Sequence, residues 1–594
     1  MLRFLCLTVC LLWSALSLGQ SEDLARNYFD QGAFEKSAAT YKILVEQNPQ
    51  NTNYIIGLVQ SYQQLEQYDK AEEELLKIIN SGIPAPHMEI ELGYNYQLQG
   101  QNEKAQELYS KAISSLSQNP RYAYAIGRIF EKYSLLDQAV TTYNTAMDFN
   151  DQLVFDLELA RIYGEQGDIE KMLDTYIALI KKDEKYYPSA QRTYSQFITE
   201  DPANEANIIF KKLVIKRLQK DPDLIYNRLL SWLFIQQKEF KKAFLQEKAI
   251  YKRSDGNIQG LLDLVQITIE ENNTEISEEI LEFIISSTPN EDIKLIAEQK
   301  LLQLRVKFAA TDDYESIQNS YDELIEKYGR TVQTLSLQLE YAHFLAFNQY
   351  KKEDAINYLR QTLDLQLSRF QEARTKMELA DILVLDEKFN SALIYYSQVQ
   401  KKVQNDVLAQ EARFKVAKTS YYKGDFEWAQ TQLKVLKSSA TQLIANDAQE
   451  LYLLIADNSL EDSTQTALKL FARADLLAFQ NKPTEAITTY DKILTDHKGE
   501  SIEDEALLAQ AKLYELNKEF EKAKSNYLDI IQFYGEDILA DDAYFRLGNL
   551  YADNLQQPEK AKEYYEQIIF NFADSIFYVE AQKKYRMLRG DAIN

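Results

Sequence analysis

With 594 residues, the chain exceeds the roughly 250 to 300 residues at which a single core stops growing, so it must divide or elongate. Gly (17) and Pro (10) are scarce and Tyr (40) is abundant, a composition of long helices with few breaks. A net charge of −25, from 66 Lys and Arg against 91 Asp and Glu, repels a phosphate backbone and excludes nucleic acid as the expected partner.

Residues 1–19 open with one basic residue, Arg3, followed by an apolar run to Trp13 and by Ser17 and Gly19 at the −3 and −1 positions of a cleavage site. That is the layout of a secretory signal peptide, and the run is too short for a membrane-spanning helix. Both cysteines, Cys6 and Cys10, lie inside it. Disulfides, thiolate metal sites and cysteine nucleophiles are therefore not expected after cleavage. Val9 precedes Cys10 where a lipoprotein site needs a small residue. The expected location is periplasmic or secreted, with no transmembrane segment beyond the leader.

From residue 20 onward, small residues recur at a fixed interval. Ser37, Ala71, Ala105, Ala139 and Met172 stand 34, 34, 34 and 33 residues apart, each early in a helical stretch. Twelve residues before them are Ala25, Val59, Gly93, Gly127 and Ala160; four after them are Tyr41, Leu75, Tyr109, Tyr143 and Tyr176. Gly in a helix interior costs about 1 kcal/mol relative to Ala, so Gly93 and Gly127 imply a packing constraint. Gly32, Gly100, Gly167 and Gly424 fall at breaks between helices, and Pro49 closes the first unit. The beat continues at Ala243, Ser277, Ala355, Ala392, Ala429, Ala486, Ala523 and Ala561, mostly 37 or 38 residues apart in the second half. Between Met172 and Ala243, and between Ser277 and Ala355, it weakens, with Ala206 and Ile317 the best remaining anchors.

This order of small and aromatic residues resembles the tetratricopeptide repeat, a helix-turn-helix unit that stacks into a solenoid. The resemblance implies an all-α, α-α superhelical solenoid of roughly 15 helical pairs, with Gly93, Ala105, Gly127, Ala139, Ala523 and Gly548 as repeat-packing positions. It divides the chain into an array at 20–185, degenerate repeats at 186–330, an array at 331–440, an extra helix and polar loop at 441–470, and a final array at 471–594. "YGEDILADDAYFRLGNLY" and "FADSIFYVEAQKKYRMLRGD" further resemble the long units of bacterial envelope proteins, the β-barrel assembly lipoprotein and the periplasmic cell-division coordinator. The turn Pro and lipoprotein Cys of those families are absent.

Only three His occur, at 87, 343 and 497, and no phosphate loop, dinucleotide fingerprint, nucleophile elbow or calcium loop is present. Neither an enzyme nor a cofactor is expected; paired carboxylates such as Asp312 with Asp313, or Asp541 with Asp542, read as solvated faces. In the resembling family the concave groove, lined by the first helices, binds peptides or proteins. The register places Gln60, Gln63, Tyr94, Gln97, Tyr124, Arg128 and Arg161 there. A second candidate surface is a basic segment, Lys211 to Arg253, with 12 basic against four acidic residues and including Lys211, Lys212, Lys216, Arg217, Lys241 and Lys242. It would dock an acidic partner or the protein's own acidic repeats. The expected function is a non-catalytic scaffold for proteins of the cell envelope. Two alternatives stay open: an enzyme or regulatory subunit with its site in the degenerate middle, and a self-assembling structural protein. The sequence leaves the oligomeric state open.

Overall fold

The computed structural model describes residues 22–81, 85–439, 442–459 and 464–591, so the leader at 1–19 lies outside the described residues. The described residues contain helices and turns and no strand. Two compact units divide at Ile280 and Leu281. Each is a stack of antiparallel helix pairs in which every helix packs chiefly on its neighbours in sequence, an all-α superhelical repeat architecture. Among the described residues, fifteen pairs run from the helix at 22–30 with Phe34–Gln47 to Ala540–Asn549 with Pro558–Asn571, followed by Tyr578–Arg589. The expected extra helix is Gln442–Asp457. Part of the loop after it, 460–463, lies outside the described residues.

A shared turn fixes the pairing. At Gly100, φ is 75°, and the chain reverses through Gly100 N donating to Gln97 O at 2.9 Å and Gln101 N to Tyr96 O at 2.9 Å. The left-handed residue caps the first helix by closing its last carbonyls. Gly takes this conformation at little cost, but the same turn forms around Ser134 and Lys238, both at φ 54°. There Leu135 N reaches Phe130 O, and Glu239 N reaches Phe234 O, both at 2.8 Å. Glu66, Asn272, Glu387, Asn481 and Lys518 also sit at positive φ between paired helices, so the turn survives where its Gly does not. The first-helix ends of two pairs hold one residue more. Lys351 N reaches back six residues to Leu345 O and Gln557 N to Tyr551 O, through π-turns at Phe344–Asn348 and Leu550–Asn554. A π-turn absorbs an inserted residue without breaking the helix. This accounts for the interval of 38 ahead of Ala561; the interval of 37 ahead of Ala392 contains the long first helix Arg369–Leu385.

Small residues are explained by aromatic rings of the second helices. A β-carbon at Gly93 would lie 2.5 Å from Tyr109 Cε1, and one at Gly548 would lie 2.6 Å from Tyr565 Cε1; Gly127 faces Tyr143 more closely still. Where the ring is missing, so is the Gly: in the second pair Val59 and Leu75 occupy these positions, both buried. Size is conserved jointly across the contact, as close packing requires. Gly57 provides the same room for Tyr41 of the preceding pair, and Gly164 for the bulky anchor Met172, whose Sδ would lie 3.0 Å from a β-carbon there. Ser37, the polar anchor, satisfies its hydroxyl with Ala25 O at 2.9 Å and shares 3.0 Å with Ser61 Oγ. Ala105, Ala139 and Ala523 are buried.

Candidate functional site

Tyrosine at the ring position also has a polar end, and it reaches the face lined by the first helices. Tyr109 Oη donates to Gln97 Oε1 at 2.9 Å, Tyr143 Oη to Glu131 Oε1 at 2.8 Å, and Tyr527 Oη to Glu515. In each case the acceptor sits four residues after the small residue on the first helix, one turn along the same face. Gln97 is therefore the acceptor that lets Tyr109 be buried. Gly93 and Gln97 are one device.

In the first unit, charged residues of successive first helices pair across this face. Glu91, whose side chain is 1% exposed, receives Lys132 Nζ at 3.3 Å and the Tyr133 hydroxyl. Tyr94 stacks on Tyr133 with centroids 3.8 Å apart, and Gln60 donates to Tyr133 Oη at 3.3 Å. Burial, then the adjacent Glu91 charge, hold the Tyr133 phenol far above its usual range, so it stays a donor. Glu131 anchors a second cluster with Arg128 at 3.2 Å and Arg161, which also binds Glu165 at 2.9 Å. A buried carboxylate is tolerated when donors surround it, and both meet this condition. Of the seven sequence candidates, Gln63 does not reach solvent: it is buried and donates to Asn95 Oδ1 at 3.4 Å. Its position faces the neighbouring first helix. Gln60 and Gln97 are committed to internal hydrogen bonds, and Tyr94 to its stack on Tyr133. Tyr124 and Arg128 are exposed, one helical turn apart, and Arg161 is half-buried beside them.

The second unit carries a ladder absent from the sequence candidates. His343 Nδ1 meets Glu378 Oε1 at 2.9 Å; Lys415 Nζ and Tyr396 Oη each lie 2.5 Å from the Asp381 carboxylate; Lys418 Nζ meets Asp475 Oδ2 at 2.6 Å. Burial opposes charge on His343, but the Glu378 hydrogen bond and charge outweigh it and raise its pKa. Burial raises the Asp381 pKa against the pull of Lys415. One rim of this face is closed. Phe479 packs against Phe347 and Tyr422, Gln480 donates to Leu385 O at 3.0 Å, Arg473 pairs with Glu387 at 2.9 Å, and Tyr350 Oη reaches Asn481 O at 3.4 Å. The helix Thr466–Phe479 thus locks onto the turns of two much earlier pairs.

The basic segment separates into two populations. Arg217 grips Asp174 Oδ1 at 2.7 Å, Lys242 pairs with Glu239 at 2.6 Å, Lys241 with Glu279 at 3.5 Å, and Lys238 with Glu271 at 2.9 Å. The Arg217, Lys241 and Lys238 pairs tie neighbouring repeats together, and the Lys242 pair lies within the first turn of its own helix. Lys211, Lys212 and Lys216, on Glu205–Lys220, make no ion pair with any of the described residues. Among the described residues no group of three or more His, Cys, Asp or Glu is placed to hold a metal ion, and no helix is long and apolar enough to cross a membrane.

Paired helices with left-handed hairpin turns and ring-on-small-residue packing define an all-α repeat protein. Residues 541–569, within the last complete pair, match the family model described as Tetratricopeptide repeat. Two solved structures are similar over nearly the whole chain. One, "Structure of Naa15/Naa10 bound to HypK-THB", is 13% identical over 96% of this chain and 86% of that chain, with a TM-score of 0.32. The other, "Crystal structure of APC/C hetero-tetramer Cut9-Hcn1", is 12% identical over 95% of each chain, with a TM-score of 0.23. No curated protein matches the chain. The fold assignment rests on the helix packing.

Proposed function

We propose that this chain is a non-catalytic tetratricopeptide scaffold that is exported to the periplasm or beyond, where it holds other envelope proteins. The helix pairs outside 541–569 are, on this reading, the same repeat diverged around a preserved turn. A binding role is supported by the inner face of the first unit. Its charges are paired side to side along successive helices, which stiffens the surface, and Tyr124 and Arg128 project from it into solvent. Tyr and Arg are the side chains most often found as interface anchors. The envelope assignment rests on the leader, with its lone Arg3, its apolar run and Gly19 at the cleavage position, and on the confinement of both cysteines to it.

A photo-crosslinking amino acid at Tyr124, introduced in intact cells, is the direct test. A discrete crosslinked protein is expected, lost at least fivefold when Arg128→Ala is added, with the far-UV dichroism of the purified protein unchanged because Arg161 and the Tyr143 hydroxyl still donate to Glu131. N-terminal sequencing of the same material should begin at Gln20. A cytoplasmic protein retaining Met1, or crosslinks indifferent to Arg128, would refute the reading.

A further inference from the structure

Two exposed surfaces of opposite character remain unexplained by repeat packing. The first lies on Glu205–Lys220. Ile208, Lys212, Ile215, Lys216 and Gln219 follow the i, i+4, i+7, i+8, i+11 spacing of one helical face, and all are exposed, Ile208 by 47%. Arg217, half a turn away, faces inward to Asp174. This face is apolar and basic, and neither Lys212 nor Lys216 has an ionic partner among the described residues.

The second surface follows the turns after the last two second helices. Ile538 and Ile576 hold the same repeat position and are 76% and 84% exposed; Phe533 and Phe570, in the last turn of the helices before them, are 66% and 74% exposed. Glu536, Asp537 and Asp574, all exposed, make no ion pair with any of the described residues. One repeat earlier the turn position is Ser501 and the helix ends in Asp496, both exposed. The fold does not need apolar residues there. This edge is apolar and acidic.

We infer that the Lys212 and Lys216 face of one molecule docks on the Ile538 and Ile576 edge of a second copy of this chain. Each surface supplies the charge that the other lacks, and both present exposed apolar side chains; the charge complementarity sets register and rate of association, while burying the isoleucines and phenylalanines supplies affinity. The two surfaces are different, so the contact is head-to-tail and propagates unless the rotation closes a ring. The inference goes beyond the scaffold reading and stands or falls separately from it.

Sedimentation velocity of the purified full chain at 50 and 500 mM NaCl tests it. A concentration-dependent assembly at low salt that dissociates at high salt is expected. Lys212→Glu with Lys216→Glu should weaken association at least tenfold, and Asp537→Lys with Asp574→Lys should do the same. Mixing the two double variants should restore association to within about threefold of wild type, a rescue that misfolding cannot produce. A monomer at both salt concentrations, or a mixture that does not recover, overturns the inference. So does Lys212-dependent cosedimentation with phosphatidylglycerol vesicles without self-association, which would give the face to a membrane surface.

Discussion

Gly127→Val is expected to destabilise the first unit by about 3 kcal/mol, the upper range for overpacking a buried contact. Its β-carbon would enter the Tyr143 ring, which is fully buried between Gly127 and Phe155 and is tethered by its hydroxyl to Glu131. Tyr143→Leu alone should cost a similar amount through the cavity it leaves. The second pair already uses the alternative solution, Val59 against Leu75, so the double variant should be more stable than the sum of the single changes predicts, by at least about 1.5 kcal/mol. Recovery should be incomplete, because Glu131 loses a donor. Hydrogen exchange in Ala123–Lys132 and Leu136–Phe149 reads the effect locally, which suits an array whose repeats unfold semi-independently. Strict additivity would mean that the ring and the Gly do not constrain each other.

Lys415→Met should destabilise the second unit by about 3 kcal/mol at pH 7.5, by leaving the Asp381 carboxylate with the Tyr396 hydroxyl alone in a site where only 18% of its side chain is exposed. The loss should shrink at pH 5. Burial already holds the folded Asp381 pKa above its unfolded value, and removing Lys415 raises it further. A raised carboxylate pKa favours the folded state at low pH and loses that contribution as pH rises through the folded pKa, so the variant gains on wild type with acidification. Adding Asp381→Asn should remove most of the pH dependence. Thermal unfolding at pH 5 and 7.5 distinguishes these outcomes; a deficit equal at both pH values would place the effect in packing by the lysine stem.

The hairpin of the repeat was legible because its constraints are local in sequence: Gly93, Ala105 and Tyr109 recur as a set, since each would clash or leave a hole without the others. Legibility failed where the turn changes. Ser195 to Asn204 and Ala309 to Asp313 join paired helices without a left-handed residue, so neither Gly nor spacing marks them. The inner ladders were read only in part. Gln60 and Tyr94 meet at a partner the register does not mark, Tyr133, which ends a first helix two pairs beyond that of Gln60. Which first helices approach each other depends on the small rotation between repeats, and no side-chain spacing encodes it. The closure at Phe479 is harder still, because it follows from the extra helix Gln442–Asp457, which changes the path of the chain before Thr466.

The recurring left-handed turn has a mechanical consequence. Each pair carries its own reversal, and many add a ring set against a small residue, so tension applied at the two ends would reach one hairpin at a time. The chain would lengthen in steps set by the repeat, about 11 to 13 nm for each unit of 34 to 38 residues at full extension. A tether built this way would yield gradually under load.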